Sequence, residues 1–212
     1  MAKSSPESRD TGETREALMR SGARLLSRHG LGVPVTRIQA EADQRNKSAL
    51  AYHFGSVTGL AAAILHRHRV AVEDRREAAI TALRERVDTV EPADLVALLV
   101  LPAAEELCTE QGRDYLRLLP QVAYLASIRT GGDPTPRDVS RAFALMREHL
   151  AARGTADIDE RLALVAEMHA AALADRARRI DDVDPVDPEL APGHERFVDL
   201  LIRMLTAALV AP

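Results

Sequence analysis

Apolar residues recur at spacings of three and four along almost the whole chain. The period-two alternation of strands is absent, so the pattern predicts helices and no sheet. Leu18, Gly22, Leu25, Leu26 and His29 share one face of a helix predicted over residues 11–29. Asp10 would cap it, with Glu13 completing a capping box, and Gly30 would end it. Residues 1–10 read as a loose polar arm. Two short helices follow. Pro34 suits the first position of one, in which Val35, Ile38 and Ala42 share a face. Asp43, Gln44 and Arg45 read as a turn. Asn46 would then cap the second short helix, whose Leu50 and Phe54 lie one turn apart and point inward before Gly55. Ser56 would cap a long helix reaching about residue 86 through Leu60, Ile64, Val72, Ala79 and Leu83.

The remainder predicts more helices: residues 92–110, strongly apolar; 113–128, with Pro120 inside and a kink expected there; 137–153, stopped by Gly154; 158–180; and 195–210. Residues 130–136 read as a loop and 181–193 as an acidic, proline-rich connection. The predicted class is all-α. A three-helix unit with a helix-turn-helix occupies residues 1–56, and a helical domain occupies 57–212.

Composition agrees. Hydrophobic residues make up 46% and charged residues 28% of the 212, enough apolar surface for an ordered core. The longest apolar run, residues 95–104, contains a proline and is half the ~20 residues a membrane helix needs, so no membrane association is expected. The first thirty residues lack the apolar core of a signal peptide. The single cysteine, Cys108, excludes an internal disulfide and points to a reducing cytoplasm; it reads as a small buried apolar residue. Charge divides the chain. Residues 1–87 hold 15 Lys+Arg against 10 Asp+Glu, leaving 13 against 22 in the rest. Only the basic first part would sit comfortably beside a polyanion.

The second short helix is the natural probe. With Leu50 and Phe54 turned inward, Ser48 and Tyr52 face outward at ~100° per residue, flanked by Ala49 and Ala51. Arg45, Asn46 and Lys47 stand at its tip. Small residues that permit close approach, one tyrosine and a cluster of donors suit a helix entering a major groove.

At these residues the chain resembles a known family. The stretch TREALMRSGARLLSRHG, with VTRIQAEADQRNKSALAYHFGS after it, is similar to the DNA-binding domain of TetR-family bacterial transcription regulators. The motifs are Thr14-Arg15, Ile38-Gln39-Ala40-Glu41-Ala42 and Tyr52-His53-Phe54, and they cover residues 14 to about 60. The resemblance implies a cytoplasmic homodimer binding a near-palindromic double-stranded operator, most often a repressor released by a small-molecule effector. By position it makes Lys47, Ser48 and Tyr52 base or groove contacts, and places Tyr52, His53 and Thr36 near phosphates. Three departures stand out. Asp43 replaces the glycine usual in the turn, Val33-Pro34 replaces a threonine cap, and Ser56-Val57-Thr58 lacks the lysine usual after that serine. Fewer phosphate contacts imply weaker binding.

In the second part, the apolar helix and the one holding Pro120 could line a cavity, with Leu98, Tyr115, Leu119, Tyr124, Met146 and His169 as ligand candidates. Leu173, Phe197, Leu201 and Leu205 are expected at a dimer interface, because an apolar stripe on the last helix would otherwise face water. His66 and His68 lie ~200° apart on a helix and cannot chelate together, so no metal is expected. There is no G-x-S-x-G elbow, phosphate-binding glycine loop or carboxylate pair. Neither an enzyme nor a cofactor is expected. The alternative is a helical protein-interaction module without sequence-specific DNA binding.

Overall fold

The computed structural model describes residues 6–46, 48–85, 90–130, 137–182 and 193–211; of 6–11, 122–130 and 137–140 it describes the backbone alone. Lys47, the predicted loop beyond Thr130 and the acidic connection over 183–192 lie outside the described residues, as does the side chain of Tyr124. Among the described residues every regular element is helical: α1 (Pro6–His29), α2 (Val35–Glu41), α3 (Ala49–Phe54), α4 (Val57–Glu85), α5 (Pro92–Ala104), a 3-10 turn (Glu105–Cys108), α6 (Glu110–Thr130), α7 (Arg137–Ala151), α8 (Ile158–Asp182) and α9 (His194–Val210).

Helix ends follow local chemistry, with some corrections. α1 starts at Pro6, so Asp10 lies inside the helix and does not cap it. A proline lacks the N–H that a first turn leaves unpaired, which makes Pro6 a natural start. Gly30, at φ +80, ends α1 as expected, its N–H reaching the Leu26 carbonyl. Ser56 caps α4, its Oγ accepting the Gly59 N–H at 3.0 Å. The apolar helix stops at Ala104 and not at residue 110. There the chain tightens into the 3-10 turn, and Thr109 becomes extended and caps α6 through Oγ1 to the Gly112 N–H (3.0 Å). That turn sends Glu106 and Leu107 inward and leaves Cys108 exposed, against the expectation of a buried thiol.

Burial organises the chain around two apolar clusters. The smaller is the core of α1 to α3, with Leu18, Leu26, Ile38 and Leu50 packed on Leu60 and Ile64 from the start of α4 and on Leu118 of α6. The larger joins the rest of α4 and α6 to α5, α7, α8 and α9 through residues such as Val72, Val96, Leu116, Met146, Val165, Leu173 and Leu205. Burying each such leucine or valine fully contributes about 1.5–3 kcal/mol. α4 and α6 supply both clusters.

The expected pairing stripe is corrected here. Leu173, Leu201 and Leu205 are buried within the subunit, and Phe197 is half-buried beneath the Arg176 guanidinium at 5.3 Å. α9 turns Val198, Leu201, Leu205 and Leu209 inward because α5 and α8 pack against that face. The large apolar side chains exposed on α8 and α9 are instead Leu164, Met168, Leu200, Met204 and Val210.

Candidate nucleic-acid interface

The exposed head is built by the turn between α2 and α3. Pro34, extended, opens α2, its carbonyl accepting the Arg37 N–H at 3.0 Å. At the other end the Gln44 N–H reaches back to Gln39 O (2.8 Å) and the Asp43 N–H to Ala40 O (3.1 Å). These are the two bonds of a Schellman motif, with Asp43 in the left-handed position at φ +51. Aspartate tolerates this conformation better than most residues, so it can stand where a glycine is usual. Buried Gln39 closes the turn, donating from Nε2 to the Asn46 carbonyl at 3.3 Å.

Asn46, expected to cap the helix, stands two residues ahead of Ser48, which is the N-cap of α3 in its place. Its Oδ1 accepts the Ser48 N–H at 2.9 Å and its carbonyl the Ala49 N–H at 3.1 Å, while the helix proper begins at Ala49. Ala49 and Leu50 are buried and Phe54 is half-buried. Ala49 was expected to flank the outer face and is instead part of the core; Ala51 keeps the outer position. Tyr52 projects into solvent with 79% of its surface exposed, its ring edge-on to His53 at 5.0 Å. Ser48, Arg45, Asn46 and Thr36 are exposed as well, and His53 is half-buried. Five expected contacts (Thr36, Arg45, Asn46, Ser48 and Tyr52) are therefore open to solvent on or beside one short helix.

Residues that periodicity did not single out hold this face in place. Arg15 of α1 lays its guanidinium over the Phe54 ring at 5.2 Å, tying α3 to α1. Gly59 permits the corner between α3 and α4: a Cβ there would lie 2.0 Å from the Phe54 carbonyl oxygen. Arg67 clasps Glu16 with both Nη atoms, at 2.9 and 2.5 Å, joining α4 to α1. Exposed Arg37 stands beside His29, Nη2 to Nε2 at 3.2 Å, and adds a cation next to Thr36. Glu41, two residues before Asp43, is neutralised by Arg24.

In the larger cluster Leu98, Tyr115 and Met146 are core residues and Leu119 packs against them. Three of the ligand candidates gather around Arg76, a buried residue that the pattern reading passed over. Its Nε donates to the Leu98 carbonyl at 3.1 Å. Burial pushes the Tyr115 hydroxyl up to about 12 against the opposing charge of Arg76, and holds His169 down to about 3 with help from Arg76. Nε2 of His169 is buried with no hydrogen-bond partner among the described residues. Tyr115 also stacks on His68, whose Nδ1 pairs with Glu106 at 2.7 Å. A cleft of about 360 Å³ lies elsewhere, between α1, the α2–α3 turn and α6, lined by residues including Arg20, Glu41, Asp43 and Asp114. None of the five ligand candidates with described side chains lines it.

No protein-family model matches the chain, and no curated protein matches it. No described helix is long and apolar enough to cross a membrane. Among solved structures the chain is similar to GusR of Salmonella enterica, at 21% identity over 92% of this chain and 95% of that one, with a TM-score of 0.48. A candidate transcriptional regulator from Rhodococcus sp. RHA1 matches at 17% identity over 94% and 96%, TM-score 0.47. A candidate TetR-family regulator from Mesorhizobium loti MAFF303099 matches at 16% over 93% and 96%, TM-score 0.41. At these scores the neighbours carry no functional argument, and the chain's likeness to the TetR family rests on the residues of its helix-turn-helix head.

Proposed function

We propose that the chain is a TetR-like DNA-binding transcriptional regulator: a repressor that leaves its operator when a small-molecule ligand binds. The observation that carries this reading is the face of α3. A six-residue helix turned inward at Leu50 projects a nearly free tyrosine, with small Ser48 and Ala51 beside it and exposed Arg45 and Asn46 at its tip. A side chain so exposed contributes nothing to folding, whereas the same face fits a major groove. In this reading Ser48, Tyr52 and Lys47 meet base edges. Thr36, Arg45, Asn46 and His53 meet phosphates, and Arg37 joins them.

Residues 1–56 form the reading head and 57–212 the effector and pairing part. Two copies pair through α8 and α9, where Leu164, Met168, Leu200 and Met204 are exposed in i, i+4 steps. Pairing would cover these side chains and set two α3 helices against successive major grooves, roughly 10 base pairs apart. The effector would enter the core around Arg76, His169 and Tyr115, where a buried cation and an unpartnered imidazole nitrogen lie within an apolar surround.

The test is a mobility-shift screen of the purified protein over DNA upstream of its own gene, at low salt and without ligand. A discrete shifted complex that competitor DNA of unrelated sequence does not displace is expected. Binding insensitive to salt and to Tyr52→Ala, or no complex at all, would instead support a protein-interaction module.

A further inference from the structure

The head meets the rest of the subunit along two helices. One is α4, continuous from the head's core into the larger cluster. The other is α6, whose Leu118 completes the small cluster while Leu116 belongs to the large one. A chain of buried polar side chains runs along α6 at this seam. Ser27 of α1 donates its hydroxyl to Oδ1 of Asp114 at 2.6 Å. Arg117 donates from Nη2 to the same oxygen, also at 2.6 Å, and from Nη1 to Oδ2 of Asp181 in the last turn of α8. Arg113 completes the set, with Nε on Oδ1 of Asp181 at 2.6 Å and Nη1 on the Leu107 carbonyl at 3.1 Å. Ser27, Asp114 and Arg117 are buried, and Asp181 is half-buried.

Two carboxylates and two guanidinium groups balance, so the set holds no net charge in its largely buried setting. That matters, because an uncompensated charge here would be costly. Apolar contacts alone let packed helices slide by small amounts with little penalty. Charge-assisted bonds of fixed length and direction do not. The side-chain set therefore does more than fill the seam: it ties α1, α6 and α8 to one another at defined distances.

We propose that Ser27–Asp114–Arg117–Asp181 is a positioning strut that sets the orientation of the reading head from the last turn of α8. The inference rests on the reading of the head given above and deepens it. α8 is one of the two helices assigned to pairing, so the strut links the pairing surface to the head by a route that bypasses α4. A shift of α6 must be felt at both ends.

The experiment reads head position inside one subunit. Spin labels are placed at exposed Ala40 of α2 and exposed Glu167 of α8, as Ala40→Cys and Glu167→Cys in a Cys108→Ser background. Labelled chain is mixed with excess unlabelled chain, so that only within-chain distances are measured by pulsed electron resonance. One narrow distance is expected for the parent. Ser27→Ala, which removes the head's rung without unbalancing the charges, should broaden or displace it, and Ser27→Thr should restore it. Asp181→Asn, which touches no head residue, should displace it too. Arg24→Met, which cuts an ion pair within the head, should not. Operator affinity should fall roughly tenfold in Ser27→Ala, with Tm lowered by a few degrees because Asp114 loses a donor. The strut is overturned if Ser27→Ala and Asp181→Asn leave the distance as in the parent, if Ser27→Thr fails to restore it, or if Arg24→Met disturbs it equally. Should the distance respond as expected while no form binds DNA, the strut stands and the regulator reading fails.

Discussion

Tyr52 and His169 are opposite extremes of one chain. The first is a large ring left in solvent, the second an imidazole sealed in apolar surroundings. Tyr52→Ala removes a ring that lies mostly in solvent, so Tm should hold while operator affinity falls roughly tenfold. Arg45→Ala should weaken binding to all sequences alike and lower the slope of log affinity against log salt by about one. An affinity loss matched by a fall in Tm would show that Tyr52 braces the fold. Buried His169 works against the folded chain in acid. Burial, with the charge of Arg76, lowers it from 6.5 to about 3 in the folded chain. Between those values the unfolded chain binds one proton more. The contribution is whole above pH 6.5 and is lost as pH falls, at up to about 1.4 kcal/mol per pH unit. His149, lowered by burial and Arg153, acts in the same direction. The Glu106 carboxyl, which burial raises but His68 and Arg75 together bring below 4.5, acts only in stronger acid. Denaturant unfolding between pH 7 and 5 should therefore lose stability with falling pH, and less steeply in His169→Leu. Equal slopes would contradict the account.

Among the elements, the α3–α4 corner makes the sharpest demand. A Cβ on Gly59 would meet a backbone oxygen, which cannot rotate away, so Gly59→Ala should destabilise the head by on the order of 2 kcal/mol or more. Gly12 lies within α1 with open space around it, and Gly12→Ala should stabilise by roughly 0.5–1 kcal/mol. Thermal melts of the two variants check the contrast, and shifts of the same sign would refute it. Such corners were poorly legible in the sequence. The helices were legible because each buries one face, and Leu18, Leu25 and Leu26, or Ile38 and Ala42, announce that face by spacing. The outward direction of Tyr52 followed from Leu50 and Phe54 in the same way. The last helix was misread because Phe197, Val198, Leu200, Leu201, Ile202, Met204 and Leu205 cover more than one face. Which of them turn inward is decided by α5 and α8 packing there, a fact of tertiary structure. Gln39, Arg76 and the Ser27–Asp114 pair were hidden for a related reason. Their partners lie far along the chain or on backbone atoms, and no spacing rule reports a bond between residues 87 apart.

At the scale of the whole molecule, the proposed function needs two copies. Leu164 and Met168 of α8 and Leu200 and Met204 of α9 are exposed, and a charge placed among them should resist the proposed association. Leu200→Glu with Met204→Arg is expected to yield a folded monomer in sedimentation, with a helical spectrum like that of the parent and operator affinity lost. A dimer that persists in that variant would move the interface elsewhere. The central claim, that two copies of α3 read duplex DNA together, is met most directly by hydroxyl-radical footprinting on a DNA fragment selected by the protein itself. Two protected patches on one face of the duplex, related by symmetry and centred roughly one or two helical turns apart, are predicted, with Tyr52→Ala weakening both equally. A single patch, or protection that ignores sequence, would contradict it.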